Sequence, residues 1–227
     1  ATLRALELSG LDRTAPLAIA DIGCGTGAAT IPLLAATQAT ITAIDVIPEF
    51  LDALTERAAA AGGAERVHTH AADMADLPLG DAACDALWAE GAIYNIGFAT
   101  GVREWRRFLK PGGLLVVSEI TWLTPAVPEE LRAHWEAEYP EVATAAEKFS
   151  ILEAAGYTPI GYFPLNTACW LAEYYEPLQA GFPDFLRRHA DSPAASEIVA
   201  AEEREIALYT KYQEFVSYGM YVAQMRN

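Results

Sequence analysis

The sequence predicts an α/β fold built on a Rossmann-like, doubly wound parallel sheet. Short apolar runs alternate with helix-like runs between residues 17 and 118, the pattern of a parallel sheet whose crossover helices cover both faces. A glycine-rich turn, Gly23-Cys24-Gly25-Thr26-Gly27, follows the first strand. Because glycine adopts positive φ and has no Cβ, such a turn brings backbone N–H groups close to a ligand at a helix start.

Five strands and three crossover helices are predicted in the first half of the chain. The second helix begins at Pro48, where the missing N–H of proline is harmless, and Gly62 and Gly63 end it. The third ends before Pro111, because the residue preceding a proline disfavours the helical conformation. The predicted strands are 17–22, 39–44, a run that precedes residue 71, 84–91 and 114–118, and the helices are 28–36, 48–61 and 102–109.

The second half of the chain has a different character, with many aromatic residues and prolines after Glu119. Residues 148–155 predict a helix, and residues 157–163 and 216–225 predict strands six and seven. Residues 171–215 between them predict a helical insertion, because so long a connection is uncommon without structure of its own. The insertion would cover the substrate pocket or form a homodimer interface, and a helical pair packed on the sheet is the alternative.

Length, charge and cysteine usage limit the class of protein. A chain of 227 residues fits one domain, residues 1–227, with a sizeable core. The formal net charge of −16 repels phosphate backbones and anionic lipid, so neither nucleic acid nor a membrane is expected as a partner. No run approaches the roughly 18 apolar residues of a membrane span. Because the chain does not begin with Met, upstream residues are expected to be missing.

Three cysteines, Cys24, Cys84 and Cys169, lie far apart and form no C-x-x-C pair. Neither a zinc site nor a disulfide framework is predicted, and a reducing, cytoplasmic compartment fits best. His68 and His70 alternate on one strand face but would need a third ligand to hold a metal. The sequence therefore predicts no metal.

The glycine turn alone fits two cofactor classes. Gly23, Gly25 and Ala28 satisfy the dinucleotide pattern G-x-G-x-x-G/A, and Asp45, about twenty residues further on, would serve the ribose hydroxyls of either class. Asp21, just before the glycines, would repel a pyrophosphate. The same carboxylate would attract the ammonium and sulfonium groups of S-adenosylmethionine.

Further landmarks follow in a characteristic order. Ala71-Ala72-Asp73-Met74 follows the third strand, residues 84–91 form the fourth, and Lys110-Pro111-Gly112-Gly113 precedes the fifth. As a set, these segments and the glycine turn resemble the class I S-adenosylmethionine-dependent methyltransferases, including the UbiE-like enzymes that act on small molecules. The resemblance covers nearly the whole chain and implies the strand order 3-2-1-4-5-7-6, with strand 7 antiparallel.

The resemblance also implies roles in holding S-adenosylmethionine. The glycine turn would face the methionine moiety, Asp45 the ribose, residues 46 and 47 the adenine face, Asp73 the adenine amine, and Glu90 the ammonium group. The cofactor-binding residues expected in this way are Asp21, Gly23, Gly25, Thr26, Gly27, Asp45, Val46, Ile47, Asp73, Met74 and Glu90.

Methyl transfer by in-line displacement depends mainly on alignment of donor and acceptor. Glu119 and Tyr94 are the predicted acceptor-facing, catalytic groups, because each follows a strand that ends at the expected methyl position. The predicted substrate pocket also contains Asn95, Trp122, His134 and Trp170. A carboxylate among aromatic rings suits an amine acceptor. Two other functions are open: a NAD-dependent oxidoreductase, and a non-catalytic cofactor-binding subunit that regulates a partner.

Overall fold

The computed structural model describes residues 1–226, which form two compact units. The first unit contains residues 1–120, 145–163 and the C-terminal residues from 218 onward, and the second contains residues 121–144 and 164–217.

The first unit is built on a central sheet. Its strands are β1 (Ala18–Ile22), β2 (Thr40–Asp45), β3 (Val67–Ala71), β4 (Cys84–Ala89), β5 (Leu109–Trp122), β7 (Tyr157–Pro164) and β8 (Val216–Met225), the last three of which continue past the unit's boundary. A two-residue strand, β6 (Ala143–Thr144), pairs with the end of β5 in the second unit. The strand order is β3-β2-β1-β4-β5-β8-β7.

The predicted order 3-2-1-4-5-7-6 is confirmed, since β7 and β8 are the sixth and seventh strands of the main sheet. Strands β1 to β5 pair in parallel. Strand β8 runs antiparallel to β5. The Gln224 side chain bonds the Gly112 carbonyl, whereas near the other end Leu123 N donates to Phe215 O, both at 2.9 Å. From the first contact to the second, the residue number rises along β5 but falls along β8, as it does in an antiparallel pair.

Helices of the first unit surround the sheet. They are α1 (Thr2–Ser9), α2 (Thr30–Ala36), α3 (Pro48–Ala60), α4 (Phe98–Glu104) and α6 (Ala145–Ala154). Proline begins α3 as predicted. The core between sheet and helices is apolar, with Leu87, Leu115 and Phe98 among its fully buried residues. This framework holds the carboxyl ends of the parallel strands at one edge.

Two element boundaries differ from the prediction. The helix predicted at 102–109 begins earlier, at Phe98, and gives way to a 3₁₀ turn at Trp105–Phe108. The fifth strand, predicted at 114–118, spans Leu109–Trp122. Gly97, with φ 86°, lets the chain enter the helix at Phe98.

The second unit is mainly helical. It contains α5 (Glu129–Glu138), α7 (Thr167–Trp170), α8 (Glu176–Arg188) and α9 (Pro193–Tyr212), with a π-helical turn at Leu171–Tyr175. The predicted helical insertion between the sixth and seventh strands is therefore confirmed. Trp170 is the centre of its aromatic core, stacked on Tyr209 with ring centroids 4.5 Å apart. Within residues 1–226, every helix falls short of the length or apolarity required to cross a bilayer.

Candidate active site

A cavity of about 590 Å³ opens in the first unit at the carboxyl edge of the parallel strands. Residues at or just after the carboxyl ends of β1 to β4 line it, because parallel strands end at the same edge. The cavity is lined by Gly23, Gly25, Ile44, Asp45, Val46, Ile47, Phe50, Ala72, Asp73, Met74, Ala75, Gly91, Ala92, Tyr94, Asn95 and Ile96. Nine of the predicted site residues are in this set.

The glycine turn forms one wall and is held against β2. The amides of Gly23 and Cys24 both donate to the carbonyl of Ile44, at 2.8 and 3.1 Å. Gly23, Gly25 and Gly27 have φ of 68°, 54° and 91°, conformations that residues with a Cβ rarely adopt. A Cβ on Gly25 would have nothing within 4 Å. The backbone there is open to a ligand.

Asp45 connects the glycine turn to the segment after β2. Its Oδ2 accepts a hydrogen bond from Gly25 N at 2.9 Å, and its Oδ1 accepts one from Ile47 N at 3.0 Å. A carboxylate has about four acceptor positions, so both oxygens can still accept hydrogen bonds from ligand hydroxyls. Asp45 therefore both shapes the cavity and offers it a charged acceptor.

Helix α3 supports the glycine turn from behind. Arg57 Nη1 donates to the Thr26 carbonyl at 2.6 Å. A Cβ on Gly27 would lie 2.3 Å from Leu54 Cδ1, so the turn packs directly on the helix. Thr26 and Gly27 thus belong to the turn's support, and neither is among the lining residues.

Apolar side chains that follow β2 are also exposed in the cavity. Val46 is 66% exposed, Ile47 38% and Phe50 40%. Large apolar groups exposed together in a concave site are typical of a surface that a ligand covers. An adenine ring fits such a wall, and the open glycine backbone and Asp45 fit the polar part of S-adenosylmethionine. The lining residues are therefore compatible with this cofactor.

The charge of the lining is negative. Asp45 and Asp73 carry carboxylates, and the described lining residues include no Lys, Arg or His. Asp73 Oδ1 accepts a hydrogen bond from Ala75 N at 2.8 Å, which fixes the turn after β3. A cationic ligand is favoured here over a pyrophosphate, because like charges repel in a partly buried site.

Asp21 lies beneath the glycine turn rather than on the cavity surface. It is 1% exposed, and Thr30 Oγ1 donates to its Oδ2 at 2.5 Å. Burial raises the pKa of Asp21 to about 7, with smaller contributions from the charges of Glu90 and Asp45, while the Thr30 bond acts in the opposite direction. Glu90, also outside the lining, accepts a hydrogen bond from Trp88 Nε1 at 2.7 Å.

Asp21 should make the fold less stable as the pH rises. In the unfolded chain its carboxyl ionises near pH 4, but in the folded protein its pKa is about 7. Between these values the folded state binds more protons, so the stabilising contribution present below pH 4 is lost as the pH approaches 7. We expect Asp21→Asn to remove this loss, as measured by chemical unfolding from pH 4 to 8.

Asp12→Asn is the matched control, because the pKa of exposed Asp12 is lowered by hydrogen bonds from Thr14. Its carboxylate stabilises the fold above its unfolded pKa, and that contribution is lost as the pH falls. An unchanged pH profile in Asp21→Asn would show that Asp21 is not the group responsible.

Glu119 is buried within the first unit. Its side chain is 0% exposed and its Oε1 lies 3.5 Å from Nζ of Lys148, which is also 0% exposed. It is therefore not among the described residues that line the cavity. Tyr94, in contrast, lines the cavity and is 40% exposed, and its role toward the acceptor stays a prediction.

Three predicted pocket residues lie in the second unit. Trp122 is 5% exposed, and Trp170 is 4% exposed and donates from Nε1 to Ser217 Oγ at 3.1 Å. His134 lines a separate cavity of about 550 Å³ between α5 and α9. For these residues, a role in the substrate pocket stays a prediction.

Phe50 is a lining residue that the sequence prediction missed. It precedes Leu51, which is 6% exposed and packs into the core. Successive helical side chains point about 100° apart, so a core-facing Leu51 places its neighbour outside the core. The sequence signal that could have identified Phe50 is a large aromatic residue next to a core-facing residue of α3.

Residues 19–113 match the methyltransferase domain family. These residues form a methyltransferase domain. The predicted family, with its cofactor, is confirmed by this match and by the relatives below.

Two curated relatives and two solved structures illustrate the similarity. The malonyl-[acyl-carrier protein] O-methyltransferase of Methylovorus sp. is 36% identical over 57% of this chain and 45% of its own length. The UbiE C-methyltransferase of Geotalea daltonii is 31% identical over 45% of each chain. The chain thus spans about half the length of the curated relatives it matches, or less.

Two solved structures share the fold of this chain over almost its whole length. A Geobacter sulfurreducens methyltransferase bound to S-adenosyl-L-homocysteine has a TM-score of 0.84 at 21% identity, with 99% of this chain and 90% of that one covered. The [4+2]-cyclase SpnF has a TM-score of 0.79 at 25% identity, with 99% and 79% covered.

Proposed function

We propose that the protein transfers a methyl group from S-adenosylmethionine to a small-molecule acceptor. The observation that carries this proposal is the cavity at the carboxyl edge, where an open glycine turn, the Asp45 carboxylate and exposed apolar residues meet. When bound, the cofactor supplies an electrophilic methyl group on a sulfonium. The chain's own residues bind and orient the two reactants.

Each wall of the cavity contributes to that orientation. The glycine turn and Asp45 hold polar groups on one side, while Val46, Ile47 and Phe50 cover an aromatic ring on the other. Alignment of two reactants supplies much of the rate acceleration of a displacement. Tyr94 is the group we propose to face the acceptor, where its hydroxyl can hold the acceptor atom by a hydrogen bond.

The lining chemistry favours neutral or cationic acceptors. Asp45 and Asp73 make the cavity negative, which disfavours carboxylates and phosphates. An amine is therefore the first acceptor class to test. The support for an amine comes from this charge and from Tyr94, because Glu119 is buried in its pair with Lys148.

Two experiments test the proposal. S-adenosylhomocysteine should raise the melting temperature of the purified protein, and NAD should not; stabilisation by NAD alone would reject the proposed cofactor. Matched primary amines, alcohols and carboxylic acids should then be screened as acceptors, with S-adenosylhomocysteine as the measured product. A preference for carboxylic acids would reject the amine assignment.

A second function is supported by one comparison. SpnF, which shares this fold at 25% identity, is a [4+2]-cyclase. If the chain binds the cofactor but methylates no acceptor, it would fit a cyclase or a non-catalytic regulatory subunit. Methyl transfer by the purified chain would exclude both.

A further inference from the structure

A buried ion pair lies behind one wall of the cavity, entirely within the first unit. Glu119 Oε1 and Lys148 Nζ are 3.5 Å apart, and both side chains are 0% exposed. Lysine and glutamate are almost never fully buried, because their desolvation is expensive. An apolar pair would stabilise a core as well or better. Stability alone therefore does not explain why these two charged residues are buried here.

The pair is adjacent to the segment of residues 91–98, which is named here the wall segment. Five of its residues line the cavity: Gly91, Ala92, Tyr94, Asn95 and Ile96. The segment leaves β4, forms a 3₁₀ turn at Ile93–Asn95 and enters α4 at Phe98. Its conformation sets where the Tyr94 hydroxyl lies.

Consecutive residues of β5 hold the two ends of the wall segment. At its start, Gly91 N donates to Ser118 Oγ at 2.7 Å. At its end, the ring of Phe98 lies 4.5 Å from Lys148 Nζ, the distance of a cation–π contact. Lys148 is in turn paired with Glu119, the residue after Ser118.

We infer that Glu119 and Lys148 are positioning residues that fix the wall segment, so that Tyr94 faces the acceptor in one orientation. This inference rests on the proposed function for the part that concerns the acceptor. The directed contacts, carboxylate to ammonium and ammonium to ring, fix Phe98 more narrowly than an apolar contact would. Glu119 then acts through Lys148 and Phe98, and it does not touch the reactants.

The test separates positioning from stability. Glu119→Gln and Lys148→Met each remove one charge of the buried pair, so both should lower the melting temperature. The double variant removes both charges and should melt closer to the wild type than either single variant. It should nevertheless show faster hydrogen–deuterium exchange in peptides covering residues 91–98, and a roughly tenfold weaker affinity for S-adenosylhomocysteine by calorimetry.

Two further variants complete the design. Phe98→Leu keeps both charges and removes the ring, so it should accelerate exchange in the wall segment as the double variant does. The control Arg103→Met/Glu104→Gln removes an exposed ion pair of 2.9 Å on α4 and should change neither exchange nor affinity.

The outcomes are distinct. Wild-type exchange in the wall segment of both the double variant and Phe98→Leu would overturn the inference. A Glu119→Gln variant that melts, exchanges and binds like the wild type but loses methyl transfer would also overturn it, because Glu119 would then be a base. Failure of the wild-type protein to bind S-adenosylhomocysteine would reject the proposed function instead, and the exchange data, which need no ligand, would still test the positioning role.

Discussion

Gly23→Ala should destabilise the first unit by about 2–5 kcal/mol. At φ 68°, a residue with a Cβ costs about 1–2 kcal/mol. The added Cβ would also lie 2.4 Å from the Cβ of Ala92, and such overpacking typically costs about 1–3 kcal/mol. Because Ala92 lies in the wall segment, the clash should disturb both the glycine turn and the wall segment. Urea unfolding followed by circular dichroism measures the effect.

Gly25→Ala and Gly10→Ala provide matched controls for this prediction. Both glycines have positive φ, 54° and 67°, and a Cβ on either would have nothing within 4 Å. Each variant should therefore lose only about 1–2 kcal/mol from the backbone conformation. Gly25 lines the cavity, so its variant should also bind S-adenosylhomocysteine more weakly, whereas Gly10→Ala should bind normally. Equal stability losses in Gly23→Ala and Gly10→Ala would contradict the clash with Ala92.

The parallel sheet and its binding edge were predictable because they depend on local pattern. Residues 216–225 alternate well enough to give the bounds of β8 without error. The glycine turn and Asp45 lie at fixed distances from their strands, and parallel pairing brings strand ends together. For these residues, sequence spacing determines spatial proximity.

The start of α4 was not predictable in this way. Gly101 lies inside the helix Phe98–Glu104, where glycine usually weakens helical structure. A Cβ at this position would lie 2.7 Å from Ile93 Cγ1, so glycine allows close packing against the wall segment. This tertiary contact outweighs local propensity, and the sequence alone does not show it.

Glu119 illustrates a second limit. The sequence placed it at the end of the fifth strand and predicted a carboxylate facing the substrate, but Lys148, 29 residues further on, pairs with it in the interior. Lys148 lies in the first turn of α6, where a lysine would ordinarily be solvated. Strand position predicts where a side chain begins, whereas its partner depends on how a distant helix packs.

Asp45→Ala should weaken the binding of S-adenosylhomocysteine by about 1–3 kcal/mol, or roughly 5- to 150-fold, because hydrogen-bonding groups are left without partners. Two effects add. The variant removes the acceptor for Gly25 N and Ile47 N, so the turn and the apolar wall lose their common connection. It also removes one of the two carboxylates that make the cavity negative. Calorimetric titration at fixed ionic strength measures the loss.

Asp45→Asn distinguishes these two contributions, since an amide oxygen can keep one backbone hydrogen bond but carries no charge. We expect its affinity to lie between those of the wild type and Asp45→Ala. Asp52→Ala, an exposed acid on α3, removes the same net charge away from the cavity and should bind normally. If Asp52→Ala and Asp45→Ala weakened binding equally, only net charge would matter. If neither did, Asp45 would have no part in the site, and the glycine turn would have to hold the cofactor through its backbone alone.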